Sequence, residues 1–84
     1  MTEKELRAYF QKLSDKIMSY ALTAEQAAAV RAYLRKTYPI STPAGKIRDQ
    51  VMIDTGVGES LFMIAQFSQG KQASEEFAKR FCTL

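Results

Sequence analysis

The chain has 84 residues, room for one domain around one modest core. Hydrophobic residues at 46% and charged residues at 25% suit a folded globular chain and exclude a disordered one. The net charge is a mild +3, histidine is absent, and the single cysteine, Cys82, leaves no internal disulfide to form.

No apolar run approaches the roughly 18 residues of a membrane span. The opening Met1-Thr2-Glu3-Lys4-Glu5 lacks the basic-then-apolar order of a secretory signal. A cytoplasmic location with no membrane partner is therefore expected.

The first predicted helix starts at Thr2 with Glu5, a capping box in which each side chain satisfies the other's amide. Leu6, Phe10, Leu13, Ile17 and Tyr20 then recur at helical spacing and form one apolar stripe. Lys4, Arg7, Gln11, Ser14 and Asp15 are left for solvent. Thr23 and Gln26 form a second capping box, with Leu22 and Ala27 placed as its hydrophobic staple. The helix they open runs over Ala24–Thr37, with Ala27, Val30, Leu34 and Tyr38 on its inner face, and Pro39 stops it. The short junction between these helices predicts an antiparallel hairpin in which Leu13 faces Leu34.

After the loop at 38–42, Thr42 before Pro43 is a cap followed by proline at the first helical position. That third helix runs to about Thr55 with Ile47 and Val51 inward, and Gly56 stops it as a left-handed cap. A fourth helix is predicted over Glu59–Gln69, ended by Gly70. Ser74 caps a fifth, with Glu75 and Glu76 at its positive end, Lys79 and Arg80 at its negative end, and Phe77 and Phe81 spaced to bury together. No strand-like alternation or internal repeat is present. The predicted fold is an all-α bundle of about five helices: an N-terminal helical hairpin and a helix-turn-helix-like second half.

Charge is distributed unevenly. Residues 23–48 sum to +4, and between Gln26 and Arg48 there is no acid, whereas residues 49–62 sum to −3. The basic stretch is the expected footprint for phosphate or an acidic protein, or else a solvated face.

Catalytic chemistry has few candidates. Without histidine the commonest general base and metal ligand is missing. Cys82 has no histidine to activate it and reads as a small buried hydrophobe. The carboxylates do not cluster, and no zinc or calcium spacing occurs. Asp54-Thr55-Gly56-Val57-Gly58-Glu59-Ser60 echoes the end of a phosphate-binding loop, but Glu59 stands where a lysine is needed and Ile53 where a glycine is needed. It reads as a turn. No enzyme, cofactor or metal is expected.

The stretch from Arg48 to Phe67 places Met52 inside one helix, Gly56-Val57 at a sharp turn and Phe62 midway along the next, with Ser60 and Ala65 at tolerated positions. It resembles the helix-turn-helix of phage Cro-type and repressor-type regulators, over about 20–25 residues and extending to Gly70-Lys71. The resemblance implies a small DNA-binding regulator of phage or mobile-element type. Lys46, Arg48 and Lys71 would clamp phosphate, Ser60 with Glu59 would read base edges, and Gln66 and Gln69 would assist.

By that resemblance the outward positions of the second helix are Glu59, Ser60, Met63, Ile64 and Phe67. Three of these are large and apolar, whereas a groove-reading helix needs polar groups there. The alternative is a protein-interaction module whose contact face is Met63, Ile64 and Phe67, either an adaptor, an inhibitor or a homodimer. A third reading makes 59–69 the central core helix.

Overall fold

The computed structural model describes residues 1–84. Five helices, α1 (Glu3–Ser19), α2 (Ala24–Thr37), α3 (Pro43–Thr55), α4 (Val57–Gln66) and α5 (Glu75–Phe81), make an all-α bundle without strands. No helix is long and apolar enough to cross a membrane.

Helix starts follow local capping chemistry. The hydroxyls of Thr2 and Thr23 accept from the amides of Glu5 and Gln26, and the Glu5 and Gln26 side chains accept from the cap amides in return. The Thr42 hydroxyl accepts from the Gly45 amide ahead of α3, and that of Ser74 from the Phe77 amide ahead of α5. Gly56 stops α3 at φ 78° and serves at once as the first cap of α4, so no loop separates the two. That economy starts α4 at Val57, two residues before the predicted Glu59. The helix also ends early, at Gln66, because residues 67–70 form turns in which Gln69 and Gly70 take positive φ.

One core gathers apolar residues from every helix: Phe10, Leu13 and Ile17 from α1, Val30 and Leu34 from α2, and Ile47, Val51 and Met52 from α3. Val57 and Leu61 of α4 and Ala78 and Phe81 of α5 complete it. Phe77 is only partly buried beside Phe81, the two ring centroids lying 5.9 Å apart. Tyr20 ends the predicted stripe of α1 but is half-exposed, because α1 stops one residue before it. Ser14, expected in solvent, is buried instead. Its hydroxyl accepts from Thr55 Oγ1 at 3.4 Å and lies 4.0 Å from the Met52 sulfur, and its small size suits the close α1–α3 packing.

The helices do not pair as the short α1–α2 junction predicts. α1 lies along α3, and α2 lies across α4 and α5, with very little contact between α1 and α2 themselves. Leu13 and Leu34 are both buried, on helices that pack against different partners. The physical reason is that α2 is buried on two sides, at Ala27, Val30 and Leu34 and, nearly opposite Ala27, at Ala29, so it is covered by more than one helix.

The corner between α2 and α3 is tight. A Cβ on Gly45 would lie 2.0 Å from the Pro39 carbonyl oxygen, so the first turn of α3 presses directly on the backbone of the preceding loop. Ordinarily a helical glycine changed to alanine gains about 1 kcal/mol. Here Gly45→Ala is expected to destabilise the chain by at least about 2 kcal/mol in urea titration, and a gain in stability would show that the corner is looser than described.

Candidate functional site

The α4 surface is divided between core and solvent. Val57 and Leu61 are buried, while around the rest of the helix Phe62, Met63, Phe67 and Ile64 are 45%, 55%, 81% and 38% exposed. At about 100° per residue Met63, Phe67 and Ile64 are neighbours with Ser60 among them, while Phe62 stands beyond Gln66 and Glu59, on the side that faces α2. The core-helix expectation for 59–69 therefore fails for this face. The expected interface residues Met63, Ile64 and Phe67 stand at the surface together, and Phe62 is also exposed, on the side toward α2. The resemblance had placed Phe62 inside the helix pair. Leu61, one residue earlier, takes the inward position because α4 begins at Val57 and the buried arc is set from there.

Of the expected phosphate contacts, Lys46 and Lys71 are exposed, but Arg48 is 6% exposed. Its guanidinium donates to the Leu34 carbonyl at 3.0 Å, which also accepts the Tyr38 amide, and to the Tyr38 carbonyl, which has no backbone donor at the end of α2. It also pairs with Asp49 at 2.8 Å. Arg48 is thus the cap of α2 and is not available to a phosphate. Glu59 is exposed and Ser60 half-buried on the first turns of α4, and Gln66 is exposed at its end. Gln69 lies beyond the helix in a left-handed turn (φ 55°), so it does not share a face with the others.

Two residues outside those expectations define the neighbouring groove. Arg31 and Arg35 of α2, one turn apart, line two adjoining cavities against α4. One, of about 230 Å³, is completed by Leu34, Ile40, Met52 and Leu61, and the other, of about 430 Å³, by Phe62, Ala65 and Lys71 among others. The Arg31 guanidinium stands 4.9 Å from the centre of the Phe62 ring. The ion pairs of the chain are Arg7–Glu3, Lys36–Glu75, Arg48–Asp49 and Arg80–Glu76, which leaves Arg31 and Arg35 without a carboxylate. Partial burial, and then the charge of Arg35, holds the Arg31 pKa below its ordinary value. The available sequence signal was the acid-free interval from Gln26 to Arg48, with arginines four residues apart.

Cys82 is buried, and burial pushes its thiol up to about 11 despite the nearby Lys16. The backbone around it is held by α1: Tyr9 Oη donates to the Cys82 carbonyl at 2.5 Å and Lys16 Nζ to that of Phe81 at 2.6 Å. The segment 54–60 does not form a phosphate loop either, since helix begins again at Val57 and Gly58 packs against Met52.

Scans against family models, curated proteins and solved structures find no match to the chain. The site therefore stands on its own geometry.

Arg48→Met should cost about 2 kcal/mol in urea titration, because the Tyr38 carbonyl loses its donor and the Leu34 carbonyl one of two; a loss below about 0.5 kcal/mol would mean that the cap is dispensable. Cys82 should resist iodoacetamide in the folded chain at pH 8 and react readily in urea. Its folded pKa is raised, so its contribution to stability is complete below the unfolded value and is lost as pH rises toward about 11. Cys82→Ala should flatten that alkaline decline, and an unchanged slope would assign the decline to other groups.

Proposed function

We propose that the chain is a protein-interaction module that docks a partner on the outward face of α4. The observation that supports this reading is the cluster of Met63, Ile64 and the C-cap residue Phe67, all exposed, on a helix whose opposite face is anchored in the core, with Phe62 exposed on the adjoining side toward α2. Scattered apolar side chains are normal on a surface, but three together make a patch of a few hundred Å², the kind that marks a contact site. Their exposure comes at no cost to the core, which Val57 and Leu61 already complete.

A second reading keeps the DNA-binding regulator. It is favoured by the join of α3 to α4 through a single left-handed Gly56 and by the exposed Lys46 and Lys71. It must do without Arg48 and Gln69, and its base-reading face retains Glu59, Ser60 and Gln66 beside large apolar groups. Apolar groups can meet only thymine methyls in a groove that is otherwise polar, and three large ones exceed that use, which is why protein is the preferred partner.

The test uses Phe67→Ser combined with Met63→Ser. Because both residues are exposed, stability in urea should change by no more than about 0.5 kcal/mol. Peptides selected on the native chain from a random display library should bind the double variant at least about tenfold more weakly. Selected peptides that bind both proteins equally would overturn the reading. So would duplex DNA binding that weakens steeply with salt and is unaltered in the variant.

A further inference from the structure

We infer that the groove between α2 and α4 takes an acidic amphipathic helix of a partner protein, its carboxylates on Arg31 and Arg35 and its apolar side against the α4 wall at Phe62. This rests on the reading of α4 as a docking face and supplies the chemistry of the partner. Arg31 and Arg35 lie at i and i+4 on α2, so their side chains stand roughly 6 Å apart along the groove. The same spacing on a docked helix is met by two acidic residues one turn apart. Each guanidinium offers the planar fork that a carboxylate accepts in two bonds.

Both arginines border both cavities, and neither has a counter-charge within the chain. Lys71 extends the positive rim at the far end of the larger cavity. Asp49, the carboxylate that lines the smaller cavity, is already paired with Arg48. An incoming anion therefore meets unpaired cations beside an aromatic ring and does not need to displace an internal partner. Arginine is also among the residue types enriched at the energetic centres of protein interfaces.

Other occupants fit less well. A two-fold pairing of this face with a second copy would set four unpaired guanidiniums against one another. A nucleic-acid backbone would satisfy the arginines but leave the apolar wall of Leu61, Phe62 and Ala65 uncovered. An amphipathic helix with acidic flanks satisfies both, in the helix-in-groove mode.

The experiment uses the full chain and three synthetic helices of about 18 residues that share one leucine face. Their flanks carry glutamate, glutamine or lysine, and binding is read by fluorescence anisotropy. The glutamate helix is expected to bind at least about tenfold more tightly than the glutamine helix, and that advantage should shrink as salt rises from about 50 to about 500 mM. Arg31→Glu with Arg35→Glu should transfer the preference to the lysine helix. Should that variant unfold by circular dichroism, Arg35→Glu alone, at an exposed position, must still cut the glutamate advantage by at least about threefold.

Equal binding of the glutamate and glutamine helices, lost in the Phe67→Ser, Met63→Ser variant, would overturn the acidic partner while leaving the α4 docking face intact. No binding by any helix would overturn the groove assignment, and the display selection then judges the α4 face separately. Random duplex DNA that displaces the glutamate helix at lower concentration would transfer the arginines to nucleic acid. Concentration-dependent self-association that blocks the glutamate helix would assign the groove to a second copy.

Discussion

The buried guanidinium of Arg48 is the contact on which the arrangement of this small bundle turns. It lies on α3, yet it satisfies carbonyls at the end of α2, and Asp49 beside it balances its charge. A buried arginine is costly unless its donors are met, and here the end of a helix supplies two acceptors, of which the Tyr38 carbonyl has no backbone donor. The same corner carries Gly45, whose missing side chain lets α3 start against the Pro39 backbone. Together they set the direction in which α3 leaves α2. That direction leaves α2 free to cross α4 and α5 while α1 lies along α3.

The candidate site is a consequence of this corner. With α2 held across α4, Arg31 and Arg35 come to face Phe62 and Ala65, and Lys71 arrives from the turn after α4. α4 is fixed from the other side by the one-residue junction at Gly56, which leaves little freedom in its rotation. Its buried arc is then Val57 and Leu61, and whatever lies opposite is presented to solvent. The exposed apolar face and the unpaired basic face are therefore neighbours because of the packing of three helices, although α2 and α4 are distant in sequence.

The two functional readings differ in what they ask of the same residues. DNA recognition asks for polar groups on α4 and phosphate-binding cations at the start of α3, and Arg48 is withdrawn from that set by its structural role. Docking of a protein helix asks for an apolar wall with charged edges. Phe62 links the wall to the edge through the Arg31 guanidinium at 4.9 Å. The free thiol takes no part in either reading, being buried and held in its neutral form.

What the sequence by itself determined is the set of helices and most of their starts. Capping is a contact between residues three apart, so Thr2, Thr23, Thr42 and Ser74 carry their own evidence, as do Pro39 as a stop and Gly56 as a left-handed junction. Periodicity also identified Phe10, Leu13, Val30, Ile47 and Val51 as inward. The outward positions of Met63, Ile64 and Phe67 came from the resemblance, and the choice between an exposed face and a core helix stayed open, because an all-round apolar helix has no periodic face of its own. Only the tertiary structure decided which helices pair, that Ser14 and Arg48 are inside, and that Phe62 is outside. Each of those depends on a neighbour far along the chain: Met52 and Thr55 for Ser14, the α2 carbonyls for Arg48, Arg31 for Phe62. The pairing of Arg31 and Arg35 with the α4 wall was hidden likewise, since charge runs record composition, while a groove is made by two helices meeting.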